Sequence, residues 1–517
     1  MPSSTREQFE TLAADHLVVP VVRELFAGEE TPIGIFRKLA LRAEGDPRPG
    51  TFLLESAAQG GIWSRYSFVG VASFGVLSED EGAPVWLDYG LPAERAFGAA
   101  AGAPVVGTPL EAIATLTERW STPKIPGMPP LTGGLVGFIG WEAVRQIERL
   151  PDAPPADFAV PGQAMSFVSE LVVVDHQAGT VLLVATALTD EGAAGVGNDE
   201  LWADAQRRLD SLQKRLSRPV EAYLAEVDLT VQAEPIARTE RGDFLDSVVA
   251  AKQYIRDGDV FQVVISQRFE LETTASALDV YRVLRALNPS PYMYLLALAA
   301  PDGSAYAVVG SSPEALVKIQ ERHVFTHPIA GSRPRGATPE DDQALADDLL
   351  ADPKERAEHL MLVDLSRNDM LKVCQAGSVE VTEFMQVERF SHIMHLVSSV
   401  EGELRDDRNA VDVFRATFPA GTLSGAPKPR ALEIIDELEP AQRGVYGGVV
   451  GYFDFAGDAD LAIAIRTALI SHGTARVQAG AGLVADSDPD TEFIESQNKA
   501  AAPLRAVAIA NSLARVR

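Results

Sequence analysis

Two acidic helix faces carry the residues in this sequence best suited to chemistry. Asp352-Pro353-Lys354-Glu355 opens one helix: Asp352 caps, proline takes the first helical position, and Glu355 completes a capping box. Glu355 and Glu358 then share a face. Asp488-Pro489-Asp490 opens another helix, on which Glu492, Glu495 and Lys499 stand at i, i+3 and i+7. Carboxylates from two helices can hold one hard divalent cation. With no Cys/His cluster the donor set favours Mg²⁺, which binds through one or two carboxylates and keeps room for substrate and water. The same spacing also suits two solvated faces with Glu495–Lys499 a surface pair, and spacing alone does not separate these readings.

Anion chemistry has its own candidates. His327-Pro-Ile-Ala-Gly-Ser-Arg-Pro-Arg-Gly336 reads as a rigid loop with bare N–H groups and two guanidiniums, Arg333 and Arg335, a wall for a carboxylate or a tight turn with solvated arginines. Phe418–Lys428 is a second glycine-rich loop, placed before the apolar helix 430–438. Gly447-Gly448-Val449-Val450-Gly451 and Ala479-Gly480-Ala481-Gly482 are further bare stretches. Arg466 falls inside an apolar strand pattern and so needs a partner, either a bound carboxylate or a structural acid. The net charge of −28 sharpens this, because an anionic ligand needs local cations or a metal. It also argues against a nucleic-acid-binding face. Gly133-Gly134 with Gly137 and Gly140 lacks the dinucleotide spacing and the ribose-binding acid.

The elements that position these residues follow from pattern. The 517 residues suggest two or three domains. Residues 1–16 read as an N-terminal arm. Region 17–216 is mostly β, with short apolar runs at 51–56, 67–70, 134–139, 170–174 and 180–184, helices at 111–120 and 199–216, and Pro/Gly-rich connectors at 121–130, 151–162 and 189–198. Residues 217–238 read as a linker. Region 239–517 starts with a helix bearing Phe244, Val248, Ala251 and Ile255, ended by Gly258. A strand over 260–271 follows, with Gln262, Val264, Ser266 and Arg268 on one face and Phe261, Val263, Ile265 and Phe269 on the other. Thr338-Pro339-Glu340-Asp341 marks a further helix start. The single Cys374 fits a reducing compartment, the N-terminus has no apolar signal region, and the longest apolar run, 293–300, is short of the roughly 20 residues a membrane span needs. A cytoplasmic α+β protein, with large antiparallel and mixed β-sheets packed with helices, is expected.

Taken as a set, His327–Gly336, the run from Glu358 to Asp369, Phe418–Lys428, Gly444 to Gly448, Ile463–Thr467, Gly480–Gly482 and 488–499 resemble the chorismate-utilising enzymes, most closely their anthranilate synthase branch, at the large synthase subunit. Leu54-Glu55-Ser56 and Arg65 to Gly70 extend the resemblance over nearly the whole chain. It implies the chorismate-binding fold, with 17–216 as the regulatory contribution and 239–517 as the catalytic domain.

The resemblance also implies roles. Glu358 and Glu495 match the Mg²⁺ ligands, with Glu355 and Glu492 as acids behind them. Gly331, Ser332, Tyr446, Arg466, Gly480, Ala481, Gly482 and Lys499 match the chorismate-binding set. Glu314 matches the acid beside the departing 4-hydroxyl, and His395 and Thr422 match residues near the ring. Relatives that add water have a lysine where this chain has Gln262, and relatives with a lysine nucleophile have it where this chain has Ala330. That absence leaves room for ammonia as nucleophile. Ammonia would add at C2, hydroxide leave from C4, and pyruvate loss give anthranilate, the first committed step toward tryptophan. A separate glutamine amidotransferase, two of each chain in the assembly, would supply the ammonia, since no Cys-His-Glu arrangement is evident. L-tryptophan would inhibit at Glu55, Ser56, Pro291, Tyr292 and Met293. The alternatives within the family are aminodeoxyisochorismate and aminodeoxychorismate synthases. Outside it stand a non-catalytic amino-acid sensor on this fold, which would favour loss of Glu358, Glu495, Arg466 or Lys499, and a carboxylate-pair hydrolase, which would not explain Gln262 or Ala330.

Overall fold

The computed structural model describes residues 3–43, 45–56, 65–190, 196–221, 223–389 and 393–515. The middle of the 189–198 connector, Ala222 of the linker and the first two residues of the arm lie outside these. The architecture is α+β, as expected. The paired strands of the large sheet network run antiparallel, from Val18–Phe26 against Thr180–Leu188 to Gln262–Glu272 against Thr474–Leu483. The segment 217–238 contributes only the two-residue strands Ala225–Glu226 and Ile236–Ala237.

Strands from both sides of that segment pair directly. Thr51–Glu55 lies against Tyr292–Ala299, with Glu55 opposite Met293. Gly134–Ile139 lies against Val449–Asp454, with Gly137 opposite Gly451. Behind these seams one apolar cluster mixes Phe52, Val136 and Phe138 with Tyr294, Leu296 and Tyr452. The glycines at the second seam are a packing requirement: a Cβ on Gly137 would stand 1.8 Å from the carbonyl oxygen of Ala164, and one on Gly451 1.9 Å from that of Asp460.

Three helix starts follow from their caps. Thr338 accepts a hydrogen bond from Asp341 N, Asp352 from Lys354 N and Glu355 N, and Asp488 from Thr491 N, each followed by proline. They open Pro339–Ala351, Pro353–Leu371 and Pro489–Ser512. The expected capping box at Asp352 is not formed, because the Glu355 carboxylate turns to Arg333 Nη1 at 3.4 Å.

Three further expectations are corrected. The rigid loop at 327–336 is largely a strand, Ile329–Pro334, paired with Ile393–Glu403 and bulged at Gly331, whose φ is 72°. Its arginines are not an anion wall: Arg333 pairs with Asp348 and Asp352, and Arg335 with Asp342. Arg466 sits between strands Ala459–Ile463 and Thr467–Ser471 with φ 52°, a bend rather than strand interior. Phe261 precedes its strand and is exposed, because chain pairing there begins at Gln262.

Substituting Gly137→Val should lower stability by about 1–3 kcal/mol, the usual cost of overpacking. Far-UV circular dichroism and tryptophan fluorescence should report one coincident urea transition at a lower midpoint. A midpoint equal to the parent's would show that the seam tolerates the side chain.

Candidate active site

A cavity of about 610 Å³ opens where the bulged strand, the two acidic helices, the loop 418–427 and strands Gln262–Glu272 and Thr474–Leu483 converge. That volume suits a small-molecule ligand. Of the residues expected to act on metal, substrate and ring, all but Ala481 line it. Ala481 is fully buried in the core behind, since alternation along its strand turns it away from Gly480 and Gly482.

Gly480 and Gly482 are there for space. A Cβ on Gly480 would stand 2.6 Å from the Ile265 carbonyl oxygen, and one on Gly482 the same distance from Gln262 Nε2. Gln262 Nε2 donates to Glu358 Oε1 at 3.4 Å, while Gln262 Oε1 is buried with no donor among the described residues.

The acidic helix faces meet in the cavity as their spacing suggests. Burial, then the charge of Glu355, raises the Glu358 carboxyl above the ordinary range, and burial also raises Glu492. Glu492 Oε2 is buried without a hydrogen bond. Among the described residues no three acid, His or Cys side chains form a ready metal cage. The donor set still fits a hard divalent cation: the groups are carboxylates, two are disfavoured in their charged form, and one buried oxygen lacks a partner.

The cations stand opposite. Lys499 Nζ pairs with Glu495 Oε1 at 2.7 Å and donates to the Gly480 carbonyl at 3.1 Å. Arg466 donates to the Lys499 carbonyl and makes no ion pair with a carboxylate among the described residues. Burial lowers its pKa. The sequence left open a structural acid as its partner; among the described residues no carboxylate is in contact with it, and the charge of Glu495 acts on it at longer range.

Glu314 sits at the other end. Burial pushes its carboxyl up to about 7, against a lowering hydrogen bond from Thr422 and the charge of Lys499. Thr422 Oγ1 donates to Glu314 Oε1 at 2.9 Å. What area Glu314 exposes opens onto cavities rather than bulk water. His395, its pKa lowered by burial, is a neutral ring whose Nδ1–H donates to the Gly331 carbonyl at 2.9 Å. Ala330 and Ser332 flank that bulge, and the Tyr446 hydroxyl, pushed up to about 12 by burial, keeps its proton.

Sequence reasoning missed a buried ion pair behind this wall. Arg443 Nε and Nη2 donate to Glu439 at 2.8 and 2.6 Å, and Nη1 and Nη2 donate to the carbonyls of Leu423 and Val264 at 2.7 and 2.8 Å. Ser266 N and Oγ donate to the same Glu439 carboxylate at 2.8 and 2.7 Å. The guanidinium packs on the rings of Trp141 and Tyr446. The available signal was an i, i+4 Glu–Arg pair bounded by Leu438 and Val445.

The residues expected to hold an inhibitor divide. Glu55 and Met293 are cross-strand neighbours, and the Glu55 carboxylate accepts from the Tyr281 hydroxyl and pairs with Arg285 Nε at 3.2 Å. Ser56 Oγ is buried without a partner among the described residues. Tyr292 points to the opposite face and donates to Asp460 at 2.9 Å, and Pro291 lines the large cavity.

A family model described as chorismate binding enzyme matches residues 79–505. The anthranilate synthase component 1 of Arthrobacter globiformis is 55% identical over 511 residues, 98% of this chain and 93% of that protein. The protein of the same name from Mycolicibacterium smegmatis is 48% identical over 519 residues, 99% of this chain and 95% of its own. Among solved structures, anthranilate synthase component I from Streptococcus pneumoniae superposes with a TM-score of 0.73 at 33% identity, covering 93% of this chain and 99% of that one.

The Glu314 assignment has a direct check. The Glu314 carboxyl stretch, identified by infrared difference against Glu314→Gln, should titrate near pH 7. Thr422→Val removes a hydrogen bond that favours the carboxylate, so the transition should move to higher pH. A transition in the ordinary glutamate range would refute the assignment.

Proposed function

The chain belongs to the chorismate-binding enzymes, and from that premise we propose that it is the synthase subunit of an anthranilate synthase. The observation that carries the reading is the meeting, in one cavity, of an acid whose carboxyl burial raises to about 7, an arginine in contact with no carboxylate among the described residues, and two carboxylate-bearing helices.

Arg466 and Lys499 receive substrate carboxylates, and the Tyr446 hydroxyl adds a hydrogen-bond donor. Glu358 and Glu495 would hold Mg²⁺, whose charge, when bound, neutralises the ring carboxylate of chorismate; Glu355 and Glu492 stand behind them. Glu314 gives its proton to the oxygen departing from C4, and the Thr422 hydrogen bond steadies the carboxylate that remains. Gln262 and Ala330 put neither base nor covalent amine at the ring. The buried Gln262 Oε1 is an acceptor suited to the N–H of ammonia. Ammonia adds at C2, the protonated C4 oxygen leaves as water, and pyruvate elimination aromatises the ring. His395, neutral and fixed on Gly331, shapes the bulged wall without adding charge.

As a component of this kind the chain works in the cytoplasm with a glutamine amidotransferase, two of each, which supplies ammonia. Tryptophan binds between Glu55-Ser56 and the segment 291–293. The Ser56 hydroxyl, unpartnered among the described residues, supports that reading by offering a group for an amino acid.

The purified chain should convert chorismate to anthranilate with ammonium and Mg²⁺, read by fluorescence and product mass, and should not use glutamine. Glu358→Gln and Glu495→Gln should each cut this rate by at least about 10²-fold with the circular dichroism spectrum unchanged. Full activity of both variants in EDTA would overturn the metal assignment.

Filling the inhibitor site is a separate experiment. Ser56→Phe should abolish inhibition by tryptophan and spare turnover in its absence. The coupling lost should be about 1–3 kcal/mol and reciprocal, so chorismate should weaken tryptophan binding in the parent by the same factor. An equally tryptophan-sensitive variant would place the inhibitor elsewhere.

A further inference from the structure

A second cavity, of about 50 Å³, lies behind the catalytic wall and shares Glu314, Leu362 and Thr422 with the first. Its remaining polar lining comprises Thr326, His327, Ser366, Thr417 and Asp369; the Asp369 carboxylate is paired with Lys372 and Lys428, and the Thr326 hydroxyl donates to Met370 Sδ and keeps its lone pairs free to accept. Thr326 is buried, whereas His327 and Ser366 are half-buried, so the chamber runs from Glu314 toward the outer side of helix Pro353–Leu371. A water needs roughly 10–15 Å³ and two to four polar partners, so a few waters fit. The Thr422–Glu314 hydrogen bond lies in the partition between the two spaces.

This placement matters because of what surrounds Glu314 during a reaction. With a ring lying against Glu314 in the main cavity, the smaller chamber is the other space that Glu314 borders. Resting on the function proposed above, we propose that the second cavity is a water-filled chamber through which Glu314 regains its proton and into which the water formed at C4 drains. The step balances. Glu314 O–H breaks, the C4–O bond breaks with its electron pair on oxygen, and water forms. The nitrogen lone pair bonds to C2, the two ring double bonds each shift by one position so that the displaced pair reaches C4 as its bond to oxygen breaks, and the nitrogen then releases one proton to solvent. That proton and the one Glu314 regains cancel, so no further reactant is required.

Rapid-quench time courses on the full chain, with chorismate, ammonium and Mg²⁺, test this. Ser366→Leu fills the chamber; Thr326→Val removes a water partner at nearly constant volume; Ser366→Ala leaves the space open. The parent and Ser366→Ala should be linear from the first turnover. Ser366→Leu should give a burst of about one product per site, then a steady rate on the order of tenfold lower. Its steady rate should show an enlarged solvent deuterium effect and rise with added imidazole. Thr326→Val should show the same pattern, more weakly, and covers the case in which the leucine variant does not fold. Linear courses in both, at the parental rate or uniformly slower, would overturn the chamber. Glu314→Gln separates the premise: parental turnover there would remove the acid role itself, whereas loss of turnover there with linear Ser366→Leu kinetics would remove the chamber alone.

Discussion

The active cavity hangs on one buried ion pair, Glu439 with Arg443. Burying two charges costs several kcal/mol each in desolvation, and a pair so buried gains little net stability over apolar packing. Its return is geometric. The planar guanidinium has five donors in a fixed fork, and here they reach a carboxylate and two backbone carbonyls on separate elements. Leu423 is the neighbour of Thr422, which holds Glu314. Val264 lies one strand repeat from Gln262, which touches Glu358. The flat face of the guanidinium packs on Tyr446. Loop, strand and ring are thereby placed relative to one another by a group that never enters the cavity. Losing one partner would leave the other charged and buried, so the pair is all-or-none, and so is the registry it sets.

The electrostatics of the cavity extend the same logic. The chain is strongly acidic overall, yet its pocket holds both an arginine with no ion-pair partner among the described residues and a pair of crowded carboxylate faces. Neither half is comfortable alone. A dianion entering by itself meets Glu355, Glu358, Glu492 and Glu495, and a divalent cation entering by itself relieves them but not Arg466. A dicarboxylate with a divalent cation satisfies both halves, since each brings the charge the other side lacks. A cavity with both charges at hand disfavours ligands that match only one of them, because a buried charge left without a partner is costly.

Much of this was legible in the chain. The proline-led caps at Asp352 and Asp488 set the phase of their helices, and helical phase alone put Glu355 with Glu358 and Glu492 with Glu495. The α+β class followed from the alternation of short apolar runs with amphipathic segments. What the sequence concealed was tertiary. Arg333 and Arg466 look alike on paper, arginines among apolar residues and glycines. Only the fold shows that Asp348 and Asp352 pair with the first, whereas among the described residues no carboxylate makes an ion pair with the second. Gly331 reads as a loop glycine, yet it is the bulge of a paired strand, a distinction set by the partner strand Ile393–Glu403 some 60 residues away in sequence. The Glu439–Arg443 pair carried a visible signal that ordinary helix surfaces carry too.

The seam between the two halves of the chain also bears on how a distant ligand could be felt. Asn288 Nδ2 donates to Ser311 Oγ at 3.0 Å, and Ser311 Oγ donates to Ser290 Oγ at 2.9 Å. Ser311 N in turn donates to the Arg466 carbonyl at 3.2 Å, and Glu314 N donates to Ser312 Oγ at 3.3 Å. The segment 288–291 therefore borders the large cavity and is tied, through Ser311, to the backbone of Arg466 and to the turn that carries Glu314. Residues 293–297 of the same stretch are a strand zipped to Thr51–Glu55 from the other half. Any shift in how those strands sit would act on 288–291, which is bonded through Ser311 to the backbone at Arg466 and lies beside the turn that carries Glu314. No long chain of intermediates is needed, because the seam and the cavity share a wall.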